Sequence, residues 1–164
     1  MKVICVTGTP GTGKTVIAKK LAKKYGFYYM DVSKTINKYR LSEGYDRRRK
    51  TKIVDVKKLN KFLINDINKF KKKKKIKGII IDSHLSHYLP KKYVDVCIVA
   101  KCGIKALNNR LKRKKFNKNK IQENLQAEIF DICYNEALQR KHNISVVDTT
   151  KDFNINMIIK AIGA

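Results

Sequence analysis

The eight residues Gly8-Thr9-Pro10-Gly11-Thr12-Gly13-Lys14-Thr15 fit the spacing G-x-x-x-x-G-K-[ST] without a departure. They stand between a continuous apolar run, Val3-Ile4-Cys5-Val6, and a stretch in which Val16, Ile17, Leu21 and Ala22 recur at helical spacing. Strand, glycine-rich turn, helix is the context in which that spacing has chemical meaning. Gly8, Gly11 and Gly13 permit backbone conformations that aim successive N–H groups at one phosphate chain, and the helix N-terminus adds its partial positive charge. Lys14 is then placed for the β/γ-phosphates of a nucleotide such as ATP, and the Thr15 hydroxyl for a Mg²⁺ ion.

The rest of the chain alternates short apolar runs with longer periodic stretches, the pattern of an α/β domain with a mostly parallel sheet. After Gly26, a helix C-cap, Phe27-Tyr28-Tyr29-Met30 reads as a second strand; Gly78 to Asp82, Val94 to Val99 and Ser145 to Asp148 read as three more. Asp55 caps a helix whose apolar face is Val56, Leu59, Phe62, Leu63, Ile67 and Phe70. Ile104 to Leu111 is helical and breaks near Phe116-Asn117. One long amphipathic helix then presents Ile121, Leu125, Ile129, Ile132 or Cys133, and Leu138 on one side, and a last helix carries Phe153, Met157, Ile158 and Ile162. Only 32–54 is polar and weakly periodic, a short helix and an irregular arm. With 164 residues and no linker or repeat, the expectation is a single domain over 1–164.

Asp82 closes the Gly78–Ile81 run, where nucleotide-using enzymes hold Mg²⁺ through its water shell. His84, two residues on, is placed beside the transferring phosphate. Arg110, Arg113, Lys114 and Lys115 surround the helix break, and phosphoryl transfer needs mobile cations that fold over its oxygens, so this segment reads as a lid.

Composition adds one anomaly. Thirty-nine Lys and Arg face thirteen Asp and Glu, a net charge of +26 that acids cannot neutralise. Residues 34–77 carry eighteen cations and four anions, and residues 101–120 carry nine cations and no anion. Such a field attracts polyanions: nucleic acid, an anionic surface or phosphate-rich ligands. No apolar run reaches the ~18 residues needed to span a bilayer, so no membrane partner is expected and the chain reads as cytoplasmic. Cys5, Cys97, Cys102 and Cys133 lack zinc-ribbon spacing and read as buried free thiols.

Taken together, the phosphate loop, Ser42-Glu43-Gly44-Tyr45-Asp46, Ile81-Asp82-Ser83-His84 with Leu89-Pro90, and above all Asn124-Leu125-Gln126-Ala127-Glu128-Ile129-Phe130 resemble the adenylate kinase isoenzyme 6 type among P-loop nucleoside monophosphate kinases. That resemblance implies a P-loop kinase fold with sheet order 2-3-1-4-5, an acceptor arm at about 31–54 and a lid at about 113–123. It implies reversible phosphoryl transfer from ATP to AMP or another nucleoside monophosphate, together with ATP hydrolysis. It further implies a place in small ribosomal subunit maturation, with a ribosomal protein of uS11 type and small-subunit ribosomal RNA as partners. Carried across, Gly11, Gly13, Lys14, Thr15 and Val16 bind ATP phosphates, and Asp82 with His84 is the Walker B pair. The lid arginine falls at Lys114, and an adenine-contacting position at Lys151. Asn37 stands where the family often has an arginine, with Lys38 and Arg40 as substitutes. An assembly ATPase or RNA-binding switch that turns over little AMP is the alternative reading.

Overall fold

The computed structural model describes residues 1–73, 75–156 and 158. Its centre is a strand, β1 (Lys2–Thr7), flanked in parallel by β5 (Gly78–Asp82) and β6 (Val96–Lys101), with β2 (Tyr28–Asp31) outside β5 and β7 (Ile144–Asp148) outside β6. The order is therefore β2-β5-β1-β6-β7. It differs from 2-3-1-4-5 in chain numbering because two strands of a separate hairpin intervene; counted alone, the sheet strands follow that order.

Alternation along β1 decides which helix covers which face. Val3 and Cys5, with Ile79 and Ile81 of β5, pack against Leu59, Leu63 and Ile67 of α3 (Val56–Lys72). Ile4 and Val6, with Ile80 and Ile98, pack against Ile17, Ala18 and Leu21 of α1 (Lys14–Tyr25). A strand buried on both faces has to be apolar at every position, which is why these runs show no polar alternation. Each fully buried Leu or Ile contributes roughly 1.5–3 kcal/mol. The Asp55 carboxylate caps α3 by accepting from the N–H groups of Lys57 and Lys58, and the Gly26 N–H caps α1 by donating to the Ala22 carbonyl. The ends anticipated for both helices are observed.

The arm is more regular than its sequence suggests. Asp31 caps α2 (Val32–Lys38), and β3 (Ser42–Asp46) pairs antiparallel with β4 (Thr51–Val54) in a hairpin. Its strands are mostly exposed, so no apolar stripe announces them.

The long helix expected after Asn117 is two helices, α5 (Lys118–Ile129) and α6 (Ile132–Gln139). Asp131 adopts a left-handed conformation between them, its carboxylate paired with Lys101. Asp tolerates that conformation better than most residues. The break turns Ile129, Ile132 and Leu138 outward, while Ile121 and Leu125 pack on Leu107 and Leu111 of α4 (Ile104–Arg113). Of the last expected helix, Phe153 and Ile158 pack against the α1 side, whereas Met157 and Ile162 lie outside the described residues. Cys5, Cys97 and Cys102 are buried free thiols and Cys133 is half-buried. Among the described residues no helix is long and apolar enough to cross a membrane.

Candidate active site

The chain leaves β1 through a loop that backbone crowding shapes. At Gly8, φ is +138° and a Cβ would come within 2.4 Å of the Ala100 carbonyl oxygen, so this glycine passes the loop beneath the end of β6 and does not line the cleft above it. At Gly11, φ is +94° and a Cβ would meet Leu107 and Leu111 at 2.9 Å; α4 thus sits directly on the loop. The Thr9 carbonyl organises the turn, accepting from Lys14 Nζ at 3.0 Å and from Thr12 Oγ1 at 2.8 Å. Burial lowers the Lys14 ammonium to about 8 against the opposing pull of Asp82 and Glu128. A desolvated cation at a helix N-terminus is poised to gain from an incoming phosphate.

Asp82 ends β5 in register with Val6 and Asp31 and is buried. Its Oδ2 accepts from the Tyr29 hydroxyl at 2.8 Å, and the Thr15 side chain hydrogen-bonds the same phenol. Burial, then the adjoining Asp82 carboxylate, raises that phenol well above its ordinary range. Tyr29 thus links the two residues proposed for the metal. Within the sequence it was only one aromatic of a strand, and nothing marked it off from Tyr28.

Above the loop opens a cleft of about 670 Å³. Gly11, Gly13, Lys14, Thr15 and Val16 form its floor, Arg110, Arg113 and Lys114 one wall, and Lys151 the far rim. Nine of the ten sequence-selected nucleotide contacts therefore converge there, Gly8 being the exception. Thr149, Thr150 and Phe153 complete the lining and had no sequence motif to mark them. Arg110 is fixed by Thr149: its guanidinium donates to Thr149 Oγ1 at 3.0 Å and to the Thr149 carbonyl at 2.5 Å. The Thr149 hydroxyl donates onward to the Thr12 carbonyl at 2.6 Å.

On the other side of the loop lie two hollows of about 550 Å³ each, which share Ser33, Thr51, His84 and Leu85 in their walls. Thr9 and Pro10 line one of them, so the phosphate loop runs between these hollows and the cleft. The His84 side chain is open to solvent on one side. Desolvation by the surrounding protein, then the Lys14 ammonium, nevertheless brings its pKa down to about 4, leaving a neutral imidazole at pH 7. Lys38 and Arg40 do not reach this region as substitutes for an arginine at Asn37. Lys38 lies over the Tyr39 ring, Arg40 follows the α2 cap residue Tyr39 in a left-handed conformation, and Lys50 and Lys52 of the hairpin face the hollow instead. Lys52 Nζ donates to Asn37 Oδ1 at 2.6 Å.

The residues at 113–123 are the end of α4, a turn with Lys115 in a left-handed conformation, and the first half of α5. Phe116 and Ile121 seat them on Leu107 and Leu111. The hairpin reaches over to them: Arg49 Nε meets Glu123 Oε1 at 3.2 Å, and Lys120 Nζ donates to the Lys50 carbonyl at 3.3 Å.

A central strand that runs into a phosphate loop, an acid closing the next strand and a cleft beside them define the class, a P-loop kinase. A family model described as an AAA domain matches residues 4–131. The chain is 35% identical over 159 residues to "Putative adenylate kinase" of Methanocaldococcus jannaschii, covering 97% of this chain and 85% of that protein. It is 31% identical over 134 residues to "Adenylate kinase isoenzyme 6 homolog" of Caenorhabditis elegans, covering 82% and 71% respectively. In fold it resembles the deoxyadenosine kinase from M. mycoides with bound dATP, at a TM-score of 0.58 and 18% identity over the whole of both chains. The chain belongs to the adenylate kinase-like family of P-loop nucleoside monophosphate kinases.

Proposed function

We propose that this protein transfers the γ-phosphoryl group of ATP reversibly to AMP or a related nucleoside monophosphate. The observation that carries the reading is the phosphate loop lying between two ligand-sized spaces. A donor nucleotide in the 670 Å³ cleft and an acceptor in the hollows by His84 would meet across Lys14. The bond from the β–γ bridging oxygen to phosphorus breaks as an acceptor phosphate oxygen attacks; with water as acceptor the same site hydrolyses ATP.

Lys14 compensates the β/γ charge, Arg110, Arg113 and Lys114 close over the phosphates, and Lys151 flanks the base. Thr15 and Asp82 are the residues for Mg²⁺. Their donors are oxygens, and no cluster of three or more His, Cys, Asp or Glu that could cage a metal occurs among the described residues. That set fits an ion that keeps its waters and leans on nucleotide phosphates, which Mg²⁺ prefers. Neutral His84 orients the acceptor or the attacking water.

We place this chemistry in the cytoplasm, in small ribosomal subunit maturation, beside a ribosomal protein of uS11 type and its RNA. The support is the family together with the exposed Arg47-Arg48-Arg49-Lys50 turn, whose Arg49 and Lys50 line the hollows. One feature favours the alternative assembly ATPase with little AMP turnover: Asn37 stands in place of an arginine and engages Lys52. ADP formation assayed with ATP alone, then with a panel of nucleoside monophosphates, separates the two. ADP well above the hydrolysis background with AMP supports the kinase; phosphate release indifferent to every monophosphate overturns it.

A further inference from the structure

A further basic concavity lies away from the nucleotide site, at the free edge of the sheet. It measures about 530 Å³ and runs between β2, α2 and the second half of α3. Strand alternation points Tyr28 toward α3, where its ring tilts against Phe70 at 4.7 Å. One step along the groove Tyr39 sits against Phe62 in the same way, at 4.6 Å. Both tyrosines remain about half exposed, at 47% and 49%. Aromatic faces of that size are ordinarily buried, and here each is braced from behind by a phenylalanine and left open in front.

Cations accompany each pair. Lys38 Nζ lies 5.2 Å from the Tyr39 ring and Lys73 Nζ 5.8 Å from the Phe70 ring, with Lys34 between them in the groove wall. The two acids present are already engaged. Asp31 caps α2 through the Lys34 N–H, and Asp66 pairs with Lys69 at 3.5 Å. Phe62 and Phe70 are eight residues apart on one helix, about 12 Å along its axis, the length of three or four stacked nucleotides. Open aromatic platforms alternating with ammonium groups suit a flexible strand of bases joined by phosphates; they do not suit a rigid duplex, whose base faces are hidden.

We propose that this groove binds single-stranded nucleic acid, with bases stacked on Tyr28 and Tyr39 and phosphates held by Lys34, Lys38 and Lys73. The site deepens the RNA-facing part of the reading above by moving the contact from the hairpin turn to the sheet edge, and rests on that part alone. Fluorescence anisotropy with an oligouridylate of about twelve nucleotides at about 0.1 M salt tests it. An oligothymidylate of equal length, a duplex RNA and heparin serve as comparison probes. The single strands should bind more tightly than the duplex. Tyr28→Leu with Tyr39→Leu keeps the apolar bulk on Phe70 and Phe62 but removes the π faces. It should weaken the single-strand complex by about tenfold or more and leave ATP affinity and the unfolding midpoint unchanged. Replacing Lys34, Lys38 and Lys73 by Gln should flatten the slope of log affinity against log salt by about two.

Single strands, duplex and heparin binding alike and indifferent to the double Leu variant would mean a merely cationic surface and overturn the groove. Loss on neutralising Arg47-Arg48-Arg49-Lys50 but not on changing the tyrosines would return the contact to the hairpin turn and overturn the groove. A chain that turns over ATP and AMP but binds no oligonucleotide refutes this site and leaves the kinase intact, whereas oligonucleotide binding without turnover refutes the kinase instead.

Discussion

The Thr9 hydroxyl in the phosphate loop donates to Glu128 Oε2 at 2.7 Å, across 119 positions of sequence. The other carboxylate oxygen, Oε1, accepts the Cys102 N–H at 2.9 Å, so one buried glutamate ties the loop and the turn after β6 to the end of α5. This is a physical reason for a specific sequence at 124–130: α5 anchors the glycine-rich loop through Glu128. Glu128→Ala leaves two buried donors unpaired, a loss of about 2–4 kcal/mol. Calorimetry should show the unfolding midpoint lower by roughly 5–10 °C. An unchanged midpoint would mean that water replaces the carboxylate at no cost.

Lys14 carries the next expectation. Lys14→Met should reduce turnover by 10²-fold or more, the scale of a transition-state contact of ~3 kcal/mol, while circular dichroism stays native. In the free protein its pKa of about 8 lies below the usual lysine value, and bound phosphates raise it. ATP binding therefore takes up a proton above pH 8, and affinity measured by calorimetry should fall as pH rises through that value. Lys14→Arg, always charged, should abolish the fall.

Asp82 and His84 should fail differently. Asp82→Asn should remove every Mg²⁺-dependent activity and weaken nucleotide binding more in the presence of Mg²⁺ than in EDTA. His84, with its pKa near 4, is neutral across the physiological range, so its own titration should leave no inflection in turnover between about pH 5.5 and 7. His84→Ala should depress transfer and hydrolysis unequally with nucleotide affinity retained. Total loss of ATP binding in that variant would make it a structural histidine.

Acid should loosen the whole molecule through the histidines behind the site. His87, almost fully buried, bonds Thr7 Oγ1 at 2.7 Å and Glu136 Oε2 at 2.8 Å, and His142 bonds the His87 carbonyl at 2.9 Å. Burial lowers the pKa of both rings, against the upward pull of Glu136 on His87 and of backbone carbonyls on His142. The unfolded chain consequently binds more protons than the folded one once pH drops below the ordinary histidine value of about 6.5. Stability is fully present above that pH and is lost as pH falls below it. Urea unfolding between about pH 7 and pH 5 should show this, with a shallower dependence in His87→Gln/His142→Gln.

Arg49 and Glu123 join the hairpin to α5 with both side chains about half exposed. Such a pair stabilises by less than about 1 kcal/mol, so a double-mutant cycle on unfolding should give little coupling. Its effect should fall on the acceptor: Glu123→Gln raises the KM for the monophosphate more than the KM for ATP, because it frees the wall of only one space. Equal changes in both constants would contradict two separate spaces.

Local sequence determined much of this protein. Apolar runs as unbroken as Gly78-Ile79-Ile80-Ile81 can only be strands covered on both faces, and a glycine-rich loop after such a run has few uses besides phosphate. Asp55 and Gly26 marked helix ends because capping is settled within a few residues. Asp82, at the end of its strand, was placed by the strand itself. What tertiary structure decided were the relations without a period. The β3–β4 hairpin is held by mostly exposed residues with no apolar stripe to reveal it. The break at Asp131 brings its carboxylate to Lys101, thirty residues away, and turns an apparent apolar face outward. Tyr29 acquires its place between Thr15 and Asp82, and Thr149 its place under Arg110, only when β2 and β7 are laid at the two edges of the sheet. Hydrogen bonds between distant strands leave no trace in the spacing of either partner, because each residue alone satisfies only its own local geometry.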